Sequence, residues 1–405
     1  MLTERLDFAS ESDTEFFSTV PAAPSVFVLR GADAQAEPYA SKTANLRRRL
    51  QRLLGAPEER SRKLNLRDRV RGIEYTLTDS DFESRFLLYK IVRELFPATY
   101  SERLHFRFAP LLRLHRENQY PRASVTTRLG RQNGRSIYYG PFPSRADAEK
   151  FMNDSLDFFK MRRCVDDLHP DPQFPGCIYS EMRMCLAPCF KGCSDEEYAS
   201  EVNRVQTYFD SGAESLLREL SGQREAASAN LAFEEAAAIH LRLEKIKPVA
   251  SRFPEIVRRI DRLSALIIQP CKVEQSVKFF RVDRGTISGP VTFCIQPLEH
   301  AKSQSMESRV ETALNSFSPA KNSVALETME HLALLKRWYY RGNRIGEIFL
   351  ADDKNIFPMR RIVRGIGRVL RGEQPDEAQH SQVTGAERLT QIQMEEGKNA
   401  DQRSS

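Results

Sequence analysis

Apolar positions along the first hundred residues alternate between strand-like and helix-like spacing. Residues 25–29 form a short apolar run with strand propensity, and residues 74–77 also suggest a strand. Between them, the leucines of residues 44–54 have the spacing of one helix face, and a second helix is predicted over 81–95. This part of the chain is therefore predicted to be a small domain of strands and helices.

The rest of the chain is predicted to change from loops to helices and then to strands. Residues 160–195 are loop-rich, and residues 195–250 have a helical pattern with a break near Ser211 and Gly212. Residues 263–296 alternate as strands about a turn at Asp283-Arg284-Gly285. The remaining predicted elements are helices over 145–159, 305–316, 325–341 and 358–371 and a strand over 346–350.

Charge and composition narrow the class of protein. The chain has 405 residues, of which 40% are apolar and 29% charged, as in soluble proteins with several cores. The net charge of +6 permits nucleic-acid binding, although basic runs such as 47–49, 60–71 and 360–361 are each more typical of a solvated helix face. No apolar window has membrane-spanning length, and the N-terminus lacks the basic start and apolar core of a signal peptide. We therefore expect a cytoplasmic protein.

Five of the seven cysteines lie between positions 164 and 193. Four of them, Cys164, Cys177, Cys185 and Cys189, follow the spacing C-x12-C-x7-C-x3-C. Thiolates are soft ligands that suit zinc or an iron–sulfur cluster, and such a centre would order a segment with few apolar side chains. Structural zinc sites usually contain two close cysteine pairs, and here one pair is close, which favours iron–sulfur without excluding zinc. Cys193 is a possible substitute ligand.

The sequence around these cysteines resembles the UvrC family, the C component of the bacterial excinuclease ABC. The family has a cysteine after a basic dipeptide, a spaced P-C-x-x-Y step and a C-L-[AG]-P-C end. The matching segments here are MRRC at 161–164, PGCIY at 175–179, RMCLAPC at 183–189, YPR at 120–122 and YGPFP at 139–143. In that family the four cysteines hold a [4Fe–4S] cluster, so the resemblance implies the same cofactor here, with zinc as the alternative.

The resemblance extends to the N-terminus, where the family carries a GIY-YIG endonuclease. That domain hydrolyses phosphodiesters with a tyrosine pair, an arginine and a metal-binding glutamate. The Gly-Ile-Tyr tripeptide falls on a segment that ends at Phe27, so its hydroxyl is lost, whereas the Tyr-Ile-Gly tripeptide keeps Tyr39. The catalytic arginine falls on Arg47, so the resemblance assigns catalytic positions to Tyr39 and Arg47.

The metal ligand is the largest departure from the family. It falls on Leu88, or on Tyr89 if the register slips by one, and neither side chain binds Mg²⁺. Glu83 and Glu94 lie on other faces of the predicted helix, and Asp81 shares the face but lies two turns away. The resemblance thus implies a degenerate nuclease fold kept for DNA contact, with Mg²⁺ only if the site is active.

The segment that carries Arg47 is a candidate nucleic-acid contact, because basic side chains at a helix start can hold phosphates. The alternative is that these side chains only solvate a surface helix. The candidate residues are Lys42, Asn45, Arg47, Arg48 and Arg49.

Residues 215–246 predict two amphipathic helices with a break near Asn230, which would form an antiparallel hairpin. The stretch NLAFEEAA at 230–237 resembles the UVR motif, by which the family binds a matching hairpin of UvrB, the B component of the excinuclease. The family's following Leu-Arg-Asp is Ile239-His240-Leu241 here, a change expected to affect affinity more than fold. A hairpin that only packs internally is the alternative. The implied partner-binding residues are Leu231, Phe233, Glu234, Ala236 and Ala237.

The predicted fold class is multidomain α+β: a GIY-YIG-like α/β sandwich, a cysteine-cluster module, a UVR helical hairpin and a small mixed α/β domain. Residues 263–350 resemble the segment that leads, in the family, into an RNase H-like endonuclease and a helix–hairpin–helix pair, and the chain is expected to stop before both. The predicted boundaries are a flexible lead-in over 1–20, the degenerate GIY-YIG domain over 21–102, the cysteine-rich module over 103–195, the helical region over 196–250, the mixed domain over 260–371 and a disordered tail over 372–405.

The favoured function is a DNA-binding protein of nucleotide excision repair that docks on the excinuclease component UvrB and has little or no nuclease activity. An active metal-dependent endonuclease with a relocated carboxylate is the first alternative, so the sequence leaves open whether the chain is an enzyme. A redox sensor that uses the cysteine-bound cluster is the second. DNA and UvrB are the expected partners, and no membrane is expected to be one.

Overall fold

The computed structural model of the chain describes residues 2–9, 13–33, 35–56, 64–130, 136–296, 304–318 and 324–373. These residues contain three antiparallel sheets of four strands each, packed with helices, which confirms the predicted α+β class. Among their helices, none combines the length and the apolar character that a membrane crossing requires.

The N-terminal strands form the first sheet, in the order β1-β4-β2-β3. Strand β2 is fully covered from Ser25 to Leu29, and the leucines of α2 pack onto the same core, as their spacing predicts. The elements of this region are β1 (Glu4–Asp7), α1 (Asp13–Thr19), β2 (Ser25–Gly31), β3 (Tyr39–Thr43), α2 (Leu46–Leu54), β4 (Val70–Leu77) and α3 (Asp81–Leu95).

Residues 4–19 differ from the predicted flexible lead-in. Strand β1 pairs with β4 from Glu4↔Tyr75 to Asp7↔Gly72, and Phe17 of α1 is buried in the core. The apolar pattern hides this edge strand, because three of its four side chains are exposed and its stability comes from backbone pairing.

The second sheet forms the middle of the chain, in the order β6-β5-β7-β8. Its last strand, β8, follows the helical hairpin in sequence, so the hairpin is inserted between two neighbouring strands of this sheet. The break predicted near Ser211 separates two of its helices. The elements are α4 (Tyr100–Leu104), β5 (Leu111–His115), β6 (Ala123–Thr126), β7 (Ser136–Gly140), α5 (Arg145–Leu156), α6 (Ile178–Glu181), α7 (Asp195–Asp210), α8 (Glu214–Ala229), α9 (Phe233–Ser251) and β8 (Arg258–Arg259).

The third sheet has the order β11-β10-β9-β12 and includes the predicted hairpin. The turn consists of Arg284 and Gly285, both at positive φ (48° and 75°), which is the backbone that a two-residue hairpin turn requires. The predicted tail lies outside the described residues from position 374 onward. The elements are β9 (Ser264–Pro270), β10 (Ser276–Asp283), β11 (Thr286–Cys294), α10 (Met306–Asn315), α11 (Ala325–Tyr339), β12 (Glu347–Leu350) and α12 (Met359–Leu370).

Helix α3 connects the N-terminal sheet to the rest of the molecule. One of its faces places Leu88 against Val26 of β2. The other face places Phe86 in the large central core, with its ring centroid 6.0 Å from that of Phe280 in β10. Because both faces are covered, α3 fixes the position of the N-terminal sheet relative to α11 and the third sheet.

Candidate nucleic-acid interface and cysteine centre

The position that the motif assigns to the first nuclease tyrosine is buried. Phe27 lies opposite Ser41 in the β2–β3 pair and is fully covered by its neighbours. Its ring centroid lies 6.2 Å from that of Tyr39. With no hydroxyl and no access to water, this side chain has no group that could activate a nucleophile.

Tyr39 contacts Arg49. Nη2 of Arg49 donates to Oη of Tyr39 at 2.9 Å. Arg47 instead donates from Nε to the carbonyl of Val20 at 2.7 Å and from Nη2 to the carbonyl of Ser18 at 3.1 Å. The guanidinium beside the tyrosine therefore belongs to a residue two positions later than the one that the motif selects. Arg47 instead anchors the backbone at the C-terminal end of α1.

We expect Arg47→Met to lower the free energy of unfolding by roughly 1–3 kcal/mol, because hydrogen bonds of a charged donor contribute about that much and two carbonyls lose their donor. Urea denaturation of the purified protein measures the change. Arg48→Met is the matched control, since Arg48 is exposed and its side chain makes no hydrogen bond within the described residues. Equal effects of the two substitutions would contradict an anchoring role for Arg47.

The other predicted phosphate contacts differ in how much of their side chain is available. Asn45 caps α2, with its side chain accepting from the Arg48 amide at 2.9 Å. Lys42 forms an ion pair with Asp81 at the start of α3. Arg48 is exposed, so the structure leaves the tip of this arginine free to meet a ligand.

The position of the predicted metal ligand is surrounded by apolar side chains. Leu88 is half-buried and packs with Val26 and Val28. Glu83 accepts from the amide of Asp79 at 2.8 Å and pairs with Lys278. Glu83 is therefore already paired and offers no free carboxylate beside Leu88.

Asp81 is the acidic residue that the structure brings nearest to the predicted phosphate contacts, and it is held as an anion. Burial by itself raises the pKa of its carboxyl, but the hydrogen bonds and charges of Lys42 and Arg85 outweigh burial and lower the pKa to about 2. A carboxylate held by this many cations has little charge left for a metal ion.

The four predicted cysteine ligands converge on one region as free thiols. Burial and the charges of Cys164, Cys189 and Cys177 together raise the pKa of the Cys185 thiol to about 11, against a smaller lowering by the amide of Ala187. The four thiols therefore lie near one another. In the part of the chain that the structure describes, no three His, Cys, Asp or Glu side chains are arranged to hold a metal ion. The four thiols thus lie in one region, but they are not arranged in the geometry of a metal site.

Two N–H donors point at the gathered sulfurs. Nη1 of Arg162 donates to Sγ of Cys164 at 3.4 Å, and the amide of Ala187 donates to Sγ of Cys185 at 3.3 Å. Such donors stabilise thiolates. The donor set of soft sulfurs with N–H groups around them fits a thiolate-bound centre.

The YPR motif holds the arginine that contacts the cysteine loop. Arg162 is 2% exposed, and its Nε donates to the carbonyl of Tyr120 at 2.9 Å. Tyr198 of α7 donates to the carbonyl of Pro121 at 2.7 Å and accepts from the amide of Arg162 at 3.1 Å. A motif far upstream in sequence therefore positions the first cysteine.

The α8–α9 hairpin forms as predicted, with its base buried and its tip exposed. Leu220 and Leu243 belong to the central core, whereas Leu231 and Phe233 at the turn are 72% and 65% exposed. The other predicted partner-binding residues follow on the first turns of α9, where Glu234 and Ala237 are exposed and Ala236 is half-buried.

Comparison with known proteins identifies the middle of the chain. Residues 109–208, which include all five clustered cysteines, match the UvrC/Cho excinuclease middle domain. UvrABC system protein C of Alcanivorax borkumensis is 29% identical over 214 residues, which cover 53% of this chain and 35% of that protein. The middle of this chain is therefore similar to the corresponding part of UvrC-family proteins.

Further relatives extend the likeness beyond the middle domain. UvrABC system protein C of Clostridium beijerinckii is 22% identical over 327 residues, which cover 78% of this chain and 52% of that protein. The protein of the same name from Moorella thermoacetica is 26% identical over 238 residues, which cover 59% and 38%. The chain thus spans about a third to a half of the length of the curated relatives it matches. No solved structure matches it.

Sequence reasoning missed two contacts of this chain. The MRRC segment contains two arginines, and its sequence does not indicate which one contacts a cysteine. In the structure the buried Arg162 donates to sulfur, whereas Arg163 pairs with Asp157. The sequence partly indicates the Tyr39–Arg49 contact, because the strand that carries the tyrosine is followed closely by the helix that carries the arginines. It does not indicate which of the three consecutive arginines makes the contact.

Proposed function

We propose that this UvrC-family chain is a DNA-binding protein of nucleotide excision repair that has little or no nuclease activity and docks on the excinuclease component UvrB. The observation that carries the proposal is the match of residues 109–208 to the UvrC/Cho excinuclease middle domain. The relatives are named as protein C of the UvrABC system, so UvrB is the partner this chain is expected to share with them.

The geometry of the N-terminal sheet supports the expectation of weak cleavage. Phe27 lacks the hydroxyl and Leu88 the carboxylate that the nuclease motif requires, and the carboxylates of Asp81 and Glu83 are ion-paired. Arg48, Arg49 and Tyr39 remain as groups able to hold a phosphate without hydrolysing it.

The cysteine centre is proposed to hold a [4Fe–4S] cluster, with zinc as the alternative. Cys164, Cys177, Cys185 and Cys189 would hold it, and the bound group would order the loops between α5 and α7. Arg162 would orient Cys164 and contribute positive charge beside the thiolates.

The exposed hairpin tip supports the docking part of the proposal. Phe233 and Leu231 present apolar surface to solvent, and aromatic residues of this kind are the usual anchors of protein interfaces. We expect purified protein to bind UvrB and Phe233→Ala to weaken that binding roughly 30-fold, the effect of an anchor worth about 2 kcal/mol. Isothermal titration measures both affinities.

Ile356→Ala is the control, because Ile356 is also 60% exposed but lies between β12 and α12. The same complex, incubated with Mg²⁺ and an end-labelled duplex that carries a bulky adduct, should show no incision above background. Absence of binding by the wild-type chain would refute docking, and Mg²⁺-dependent incision by the purified chain would refute the loss of nuclease activity.

A further inference from the structure

A basic cleft lies between the start of α3 and the end of α11. The cavity has a volume of about 370 Å³. Its walls include the buried rings of Phe82 and Trp338, and its charged lining comprises one carboxylate, Asp81, and the four arginines Arg85, Arg337, Arg341 and Arg344. It is therefore lined by far more positive than negative charge.

The single carboxylate of the cleft, that of Asp81, is already bound by cationic side chains. Oδ2 of Asp81 accepts from Nε of Arg85 at 2.8 Å and from Nη1 of Arg341 at 2.9 Å, and Oδ1 pairs with Lys42. Three cations thus share one anion. Arg337 is exposed at the cleft and has no hydrogen bond or ion pair among the described residues.

The electrostatics of Arg337 show the excess of positive charge directly. Burial lowers the pKa of its guanidinium, and repulsion from Arg85, Arg341 and Arg107 lowers it further, with Asp81 opposing only in part. Arginines with an acidic partner behave in the opposite way, since the pKa of Arg368 is raised by the hydrogen bond and charge of Glu347. An anion in the cleft would relieve this repulsion.

Positive charge continues beyond the residues that line the cavity. Arg107 acts on Arg337 and also lies near Lys336 of α11, whose pKa is lowered by burial and by the charge of Arg107. Cations that continue past the cavity suit the repeating charge of a polynucleotide better than a single small anion. Trp338 is 7% exposed and its Nε1 donates to the carbonyl of Ile345 at 3.0 Å, so this ring is not available to stack on a base.

We propose that this cleft binds the phosphate backbone of a DNA strand, with Arg337 and Arg341 as the contacting residues and Asp81 as the residue that positions Arg341. The inference rests on the proposed DNA-binding function and specifies where the strand is held. Planar guanidinium groups suit two-pronged hydrogen bonding to phosphate oxygens. Recognition through phosphates alone is independent of base sequence.

The test measures the salt dependence of binding to labelled DNA of two unrelated sequences. For the Arg337→Ala/Arg341→Ala variant we expect about tenfold weaker binding to both sequences and a slope of log K against log salt that is smaller by roughly 1 to 2. Lys245→Ala/Arg252→Ala is the control, because it removes the same charge from two exposed positions, one in the second half of α9 and one at its C-terminal cap. Neither residue lines the cleft. Inorganic phosphate at matched ionic strength should not displace the strand.

Three results would overturn the cleft as a DNA site: equal loss in the two double variants, an unchanged slope in the first, or displacement by inorganic phosphate as effective as by unlabelled DNA. The proposed function would survive each of them, provided the wild-type chain still binds DNA and UvrB. A wild-type chain that binds no DNA overturns both proposals. Unchanged affinity of the Arg337→Ala/Arg341→Ala variant for UvrB verifies that it is folded.

Discussion

Cys185→Ser removes the bound metal from the purified protein and opens the segment between α5 and α7 to proteolysis, if the proposed cysteine centre is right. Cys185 is the thiol on which the charges of the other three converge. Structural metal–thiolate centres contribute on the order of 10 kcal/mol to the folding of small domains, so loss of one ligand should affect this module strongly. Iron, zinc and acid-labile sulfide analysis of anaerobically purified protein, with its absorbance spectrum and limited proteolysis, measures the result.

Two further cysteines provide matched controls. Cys271→Ser changes a thiol beside β9, outside the cluster, and should leave the metal content intact. Cys193→Ser tests the substitute ligand: retention of the metal assigns the centre to the four predicted cysteines, and its loss assigns a ligand role to Cys193. Wild-type protein that folds normally without iron or zinc would refute the centre altogether.

Lys278→Met should destabilise the protein by about 3–5 kcal/mol, the usual effect of removing one partner from a buried ion pair. Nζ of Lys278 lies 2.8 Å from Oδ2 of Asp79 and 2.5 Å from Oε1 of Glu83. The three side chains are 13%, 10% and 7% exposed, so the substitution leaves two carboxylates with little solvent and no cation between them. Because this cluster joins β10 to the start of α3, we expect the N-terminal sheet to loosen from the rest of the molecule.

The effect has a defined pH dependence. Burial lowers the pKa of Lys278, but the hydrogen bonds and charges of Asp79 and Glu83 outweigh burial and raise it above its ordinary value. A group with a raised folded-state pKa stabilises the fold fully below its unfolded pKa of about 10.4 and loses that contribution as the pH rises through the folded value. The stability difference between wild type and variant should therefore be full at neutral pH and shrink above about pH 10.

Urea denaturation at several pH values measures this difference. Lys272→Met is the control, since Lys272 is exposed in the turn between β9 and β10 and should change stability little. A Lys278→Met protein as stable as the control variant at neutral pH would show that the cluster contributes no net stability.

Apolar spacing was enough to place most elements because it records burial locally. The leucines of α2 and the alternation in β10 and β11 each report which face meets a core, and the Arg284-Gly285 turn follows from a backbone that few residues adopt. Apolar spacing did not predict strand β1, because most side chains of this edge strand are exposed. Its stability comes from backbone pairing with β4, which leaves no pattern in its own sequence.

The candidate sites also contain some features that the sequence predicts and others that only the structure shows. Cysteine spacing selects the candidate thiols, because ligand chemistry depends on residue type. The sequence likewise shows that Phe27 has no hydroxyl and Leu88 no carboxylate. Which arginine contacts Tyr39 depends on side-chain direction, so the structure was needed to place Arg49 there and to place Arg47 against two carbonyls at the end of α1.

The sequence by itself determined the family resemblance, the candidate sulfur ligands and most helices and strands, since each depends on residue type or on short-range periodicity. Tertiary structure alone decided that α3 is covered on both faces, that Arg162 reaches Cys164, and that arginines from α3 and α11 face each other across one cleft. These features join residues far apart in the chain, and their electrostatic consequences arise only when folding brings the charges within a few ångströms of one another.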